Sequence, residues 1–223
     1  MSTLFGNMQS QEMLTFPESL TEAYKPRSIG EFVGLGQQKT MLEKLAKQPR
    51  PCGLRFLGGP GTGKTTMAFA FGRAVNAEVH HIPSAECNLE TLQRVSAMCH
   101  RVPYDFQCGE SRAWHVVIID EADCMSDAAQ KYLLSKLDGS DACPSTIWIL
   151  TCNADDRFED RFLSRLIKLP KFNGYSAGKD VRDLLARIWS ERANGAPEPD
   201  FARIPTGNVR EALQALEVEL LSA

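Results

Sequence analysis

Residues 54–65 read Leu54-Arg55-Phe56-Leu57-Gly58-Gly59-Pro60-Gly61-Thr62-Gly63-Lys64-Thr65, and this stretch decides the fold. A short apolar run ends in a glycine-rich turn, and the turn opens into helical apolar spacing over residues 63–76. The turn matches G-x-x-x-x-G-K-S/T in full, in the strand-to-helix context that the pattern requires. Its glycines let backbone N–H groups wrap a phosphate chain, and the helix N-terminus adds partial positive charge. Gly58, Pro60, Gly61, Thr62, Gly63 and Thr66 are expected to form the cradle. Lys64 would reach the β- and γ-phosphates, and Thr65 would offer its hydroxyl to Mg²⁺. The competing account, a glycine-rich turn that merely precedes a lysine, does not explain the flanking strand and helix.

Around this loop, β-rich runs alternate with helical patterns. The runs are 54–57, 79–82, 115–119, 146–151 and 166–169, and the helical segments between them are 63–76, 89–99 and 127–137. The run Val116-Val117-Ile118-Ile119 is continuously apolar, as expected of a strand covered on both faces. The alternation predicts a parallel sheet with helices on both sides. After Pro170 the pattern changes. Residues 173–178 are turn-rich, 180–193 read as one helix, and a last helix starts near Asn208 with Val209, Leu213, Leu216 and Leu220 on one face. Asn208 and Glu211 have the spacing of a capping box. The expected division is an N-terminal extension over 1–22, an α/β core over 23–170 and a helical module over 171–223.

Two further features sit at strand ends, where ligands of such sheets bind. Val116–Ile119 delivers Asp120 and Glu121. Asp120 can hold Mg²⁺ through water, and Glu121 can orient the attacking water. Asn153 ends the next strand, where its side chain would stand beside Glu121 and hold the same water. A turn former is the plainer account of Asn153.

Composition sets the outer limits. The 223 residues are 43% hydrophobic and 24% charged, close to the globular average, which excludes collagen-like, coiled-coil and disordered classes. With 25 basic and 28 acidic residues the net charge is −3, so contact with nucleic acid must be a local patch. No 18-residue stretch lacks charge, and the first 22 residues do not read as a signal peptide, so no membrane partner is expected. The 7 cysteines include no C-x-x-C spacing. A zinc held by Cys87, Cys99, Cys108 and His100 is conceivable, but reduced thiols of a cytoplasmic protein account better for such irregular spacing. His80-His81 reads as one buried and one exposed imidazole. Arg94, Arg101 and Arg112, near Tyr104 and Trp114, read as a solvated face more readily than as a nucleic-acid patch.

The chain as a whole resembles the AAA+ ATPases of the clamp-loader type, and is most similar to replication factor C small subunits and their phage equivalents. The residues that carry the resemblance are Tyr24-Lys25-Pro26-Arg27, Phe32-Val33-Gly34, the phosphate loop, Asp120-Glu121-Ala122-Asp123, residues 126–130, residues 150–153, Ser164-Arg165 and Gly207-Asn208-Val209-Arg210. They span about residues 23–217 in the family's order.

The resemblance implies a P-loop NTPase of the AAA+ αβα type, with a five-stranded parallel sheet and a small helical lid, that hydrolyses ATP with Mg²⁺. It implies that Tyr24, Arg27, Val33 and Gly34 line an adenine pocket, that Asn153 is sensor 1 and that Arg210 is sensor 2. Arg165 would be an arginine finger inserted into a neighbouring subunit's site, with Arg161 a poorer candidate. Implied partners are further copies or related AAA+ subunits, DNA, and a sliding clamp or another protein. A DNA-assembled regulator that recruits a partner enzyme, or a nucleotide-switched binding module, would share these residues. Leu166 stands where the family has a cysteine, and the chain ends where the family's helical collar would begin, so assembly is expected to rest on ATP-bridged interfaces, DNA or a partner. Superfamily 2 helicases share the Asp-Glu-Ala-Asp string, but they need two RecA-like domains, and this length holds one plus a lid.

Overall fold

The computed structural model describes residues 18–105, 109–138, 141–173, 178–193 and 195–222. Seven strands occur among them: β1 (Cys52–Leu57), β2 (Ala77–Ile82), β3 (Tyr104–Asp105), β4 (Glu110–Ser111), β5 (Trp114–Ile119), β6 (Thr146–Cys152) and β7 (Leu166–Lys168). The helices are α1 (Leu20–Ala23), α2 (Gly36–Lys47), α3 (Lys64–Ala74), α4 (Leu89–Met98), α5 (Asp127–Leu137), α6 (Asp160–Leu163), α7 (Gly178–Arg192) and α8 (Val209–Ser222). Five strands form one sheet in the order β2-β5-β6-β1-β7, with every pairing parallel. β3 and β4 form a separate antiparallel pair.

The apolar run of β5 explains the layering. Val117 and Ile119 point into a core shared with Leu92 and Val95 of α4 and Ala129 and Leu133 of α5. Val116 and Ile118 point the other way, onto Met67, Ala68 and Phe71 of α3 and Leu42 of α2. A strand alternates its side chains between faces, so both faces must be apolar when helices cover both. β6 repeats the device with Trp148 and Leu150 on one side and Ile147 and Ile149 on the other. The expected αβα sandwich is borne out.

β1 and β2 each begin two residues before the apolar runs that announced them, because Cys52, Gly53, Ala77 and Glu78 still pair with neighbouring strands. α2 carried no strong signal, since only Gln38 and Leu42 of its twelve residues are buried.

A third apolar cluster gathers Val181, Leu185, Ile188 and Trp189 of α7 with Ala212, Leu213 and Leu216 of α8. Leu20 joins it at 5% exposure, and its N–H donates to Glu217 Oε1 at 3.3 Å. A four-residue helix has no period to read, and its partner lies 197 residues away, so the sequence placed Leu20 in an extension. Most of the turn-rich joint, residues 174–177, lies outside the described residues, as do residues 1–17. Among the described residues no helix is long and apolar enough to cross a membrane.

Candidate functional site

The loop between β1 and α3 owes its shape to two kinds of constraint. A Cβ on Gly58 would lie 2.4 Å from the Phe172 carbonyl oxygen, so a side chain there would block the exit from the sheet. Gly61 and Gly63 hold φ of 68° and 87°, the left-handed region that glycine enters without steric cost. Gly63 is the N-cap of α3 and brings no side-chain cap, which leaves the N–H groups of the first turn to an acceptor from elsewhere.

Lys64 opens α3 and is only 8% exposed. Its Nζ donates to Gly58 O at 2.9 Å, to Gly59 O at 2.8 Å and to Asn153 Oδ1 at 3.0 Å. All three acceptors are neutral. Burial pulls the ammonium below the ordinary lysine range, and Cys152, Asp120, Asp123 and Glu121 act against that pull. A desolvated cation among neutral oxygens is stabilised by any anion that reaches it.

Thr65 Oγ1 donates to Asp120 Oδ1 at 2.7 Å, and Thr151 Oγ1 donates to the same oxygen at 2.5 Å. A hydroxyl and a carboxylate in contact are hard oxygen donors of the kind Mg²⁺ takes, so this pair could hold it. Thr151 was not singled out from the sequence. Ile119 pairs with Leu150, and only that register places Asp120 beside Thr151. The Thr151 hydroxyl also accepts from the Glu121 N–H at 3.1 Å. Glu121 itself has φ 49° and an exposed side chain. A left-handed glutamate is an uncommon conformation of the sort that collects at functional sites.

The last helix closes over this loop. Asn208 Oδ1 accepts from the N–H groups of Arg210 at 3.0 Å and Glu211 at 3.4 Å, which caps α8. The same oxygen lies 1.9 Å from where a Cβ on Gly61 would stand. Gly61→Ala therefore forces a left-handed alanine and pushes the cap of α8 off the loop. The expected cost is about 1–3 kcal/mol of stability, read by urea unfolding, together with weaker nucleotide binding. An alanine variant of unchanged stability would show that the helix does not rest on the loop.

Between loop and lid lies a cavity of about 880 Å³. Of the residues expected at the site, Tyr24, Arg27, Val33, Gly61, Thr62, Gly63, Thr65, Thr66, Asp120 and Arg210 line it. Phe69, Leu184, Arg187 and Leu213 also line it and had no motif to mark them. The other expected residues are not part of that lining: Gly34 follows Val33 with φ 64°, Gly58 and Pro60 belong to the loop, Lys64 and Asn153 hold one another, and the Glu121 side chain is exposed. Tyr24 Oη donates to Glu191 Oε2 at 2.7 Å, which ties the first segment to α7.

Arg165 is exposed and outside this lining. Its Nε donates to Asp138 Oδ1 at 3.0 Å, and Nη1 donates to Ser164 Oγ at 2.9 Å and Arg161 O at 3.2 Å. Arg161 pairs with Glu159. Arg94 and Arg101 are exposed, and Arg112 donates to Asn76 Oδ1. Of the imagined zinc ligands, Cys108 lies outside the described residues. His81 approaches Asp120 Oδ2 at 3.6 Å.

Sequence reasoning also missed Arg55, a 9%-exposed cation on β1 that pairs with Asp155, two residues past Asn153. Removing one partner of a buried pair leaves the other charge without compensation. The Asp155 side chain is 37% exposed, so Asp155→Ala is expected to cost about 2 kcal/mol, below the range for a fully buried pair. Chemical denaturation of the two proteins measures it, and a cost near zero would make the pair ornamental.

A parallel sheet with a glycine loop after β1, an acid at the end of β5 and a helical cover defines an α/β nucleotide-binding module of the P-loop type. The chain belongs to the AAA family, the ATPase family associated with various cellular activities, whose pattern matches residues 54–172. Its relatives within that family bear out the clamp-loader resemblance. It is 34% identical over 201 residues to replication factor C small subunit 2 of Pyrobaculum islandicum, covering 88% of this chain and 62% of the relative. It is 32% identical over 146 residues to small subunit 1 of the same organism, covering 65% and 44%. The chain thus spans about half the length of the curated relatives it matches. Among solved structures a Thermotoga maritima RuvB mutant superposes with a TM-score of 0.69 at 16% identity, covering 90% of this chain and 68% of that one. At that identity the likeness speaks to the fold.

Proposed function

We propose that the chain is an ATP-hydrolysing AAA+ module, built of a core over 23–170 and a lid over 171–223, that works as a clamp-loader-like subunit of an oligomer on DNA or on a DNA-bound protein. One observation carries the reading: Thr65, Asp120 and Arg210, from the loop, the sheet and the lid, face the same cavity. Tyr24, Arg27, Val33 and Gly34 are assigned to the base, and the N–H groups of residues 58–66 to the phosphates. Bound Mg²⁺, held by Thr65 and Asp120, supplies charge neutralisation across the phosphates.

The remaining steps belong to the chain. Lys64 carries positive charge to the transferred phosphoryl group. Asn153 and Glu121 align a water molecule, which attacks the γ-phosphorus. Glu121 accepts the proton, and ADP leaves with its bridging oxygen. Arg210 meets the same phosphate from the lid, so that hydrolysis is coupled to how the lid sits. Arg165, exposed and outside the lining of its own cavity, serves the site of an adjoining subunit.

The test is ATP turnover with and without primed DNA and a sliding clamp, with particle mass measured in parallel. Turnover raised by DNA and clamp together, in an oligomer, supports the reading. Partner binding gated by ATP without any response to DNA would replace it with a nucleotide-switched module.

A further inference from the structure

Every residue of β6 is buried, and two of them, Thr146 and Thr151, bring hydroxyls into an otherwise apolar run. A buried hydroxyl is costly unless it is hydrogen-bonded. Thr146 Oγ1 is satisfied locally, donating to the Pro144 carbonyl oxygen at 2.9 Å. Thr151, at 1% exposure, makes no such local bond. Its hydroxyl instead reaches across to the acids at the end of β5. It donates to Asp120 Oδ1 at 2.5 Å and accepts from the Glu121 N–H at 3.1 Å. Thr151 does not line the cavity itself, so whatever it does for the site is done through those two residues.

The hydrogens of this junction have only one arrangement. A backbone N–H donates and never accepts, so Thr151 Oγ1 meets Glu121 with a lone pair and turns its own hydrogen to the carboxylate. Thr65 Oγ1 donates to the same oxygen at 2.7 Å. Asp120 Oδ1 therefore has two hydroxyl donors, while Oδ2 has no hydrogen bond among the described residues, with His81 Nε2 at 3.6 Å. The second bond shapes the backbone. The Asp120 N–H still pairs with the Ile82 carbonyl, but the next N–H, on Glu121, goes to a side chain of the neighbouring strand. There β5 ends, and Glu121 turns into the left-handed region at φ 49°. A left-handed glutamate persists only where its surroundings hold it. A valine at 151 would fill the same space and supply neither bond.

We propose, on the basis of the ATPase reading above, that Thr151 is a positioning residue of the hydrolysis site. Its hydroxyl holds the Asp120 carboxylate in the orientation used for Mg²⁺, and the same oxygen fixes the backbone turn that presents Glu121 to the attacking water. Donors that orient a ligating carboxylate tune metal affinity and activity without touching the metal. One buried hydroxyl thus ties two separate steps, metal binding and water alignment, to the strand that also delivers Asn153. Loop spacing could not reveal the role, because Thr151 reaches the acids only through the pairing of Ile119 with Leu150.

Thr151→Val keeps the shape of the side chain and removes the hydroxyl. Mn²⁺, titrated by electron paramagnetic resonance into the full chain saturated with ADP, is expected to bind the variant about tenfold or more weakly than the parent. ADP without metal should bind both proteins equally well. At saturating metal, turnover should fall about 10–100-fold with the KM for ATP unchanged. Thr151→Ser, which restores the hydroxyl, should recover both Mn²⁺ affinity and turnover. Thr146→Val, which deletes the other buried hydroxyl of β6 at the opposite end of the strand, should change neither. A Thr151→Val chain that matches the parent in Mn²⁺ affinity and turnover overturns the positioning role and leaves the ATPase reading standing. A matching loss of metal-free ADP binding, or no recovery in Thr151→Ser, reduces the residue to packing and overturns the role as well. A parent chain that binds neither ADP nor Mn²⁺ with it overturns both readings.

Discussion

A mixture of Arg165→Ala and Glu121→Gln subunits is expected to hydrolyse ATP faster than the sum of the two preparations measured apart. Arg165 reaches out from the end of α6 toward solvent, tethered by Asp138, Ser164 and the Arg161 carbonyl. It lies outside the lining of its own cavity, and the role proposed for it is in the site of an adjoining subunit. Loss of an arginine supplied in trans costs on the order of 10³ in rate. Loss of the Glu121 carboxylate costs about 10²–10⁴, since an amide accepts no proton. In the mixture some interfaces pair an intact Glu121 with an intact Arg165, and only those recover. Merely additive rates, with mixed oligomers demonstrated by mass, would remove Arg165 from the mechanism and bring Arg161 forward.

Lys64→Ala should weaken ATP binding by roughly 10²-fold, equivalent to about 3 kcal/mol. The size follows from the setting. Lys64 is desolvated, its hydrogen bonds go to neutral oxygens, and a triphosphate is the acceptor that would restore a full countercharge. The variant also leaves the carbonyls of Gly58 and Gly59 with one donor fewer, so thermal unfolding must accompany the titration. A folded variant that binds ATP as tightly as the parent would mean that the phosphates lie elsewhere.

Sequence alone was enough for whatever depends on local spacing. The loop over 58–65 could be read because its glycines, lysine and threonine are contiguous, and the physics of phosphate binding acts through consecutive N–H groups. The two-sided burial of β5 showed in four apolar residues without a break, and α8 showed in Val209, Leu213, Leu216 and Leu220. Contacts between distant segments had to wait for the tertiary structure. Thr151 holds Asp120 because β6 lies next to β5, a neighbourhood that strand order decides. Leu20 packs on α7 and α8, and Asn208 rests against Gly61, through contacts that span most of the chain. Arg55 and Asp155 carry no motif, since an ion pair needs proximity and not spacing. A hydrogen bond or an ion pair reads distance in space, and only the packed sheet turns separation along this chain into distance.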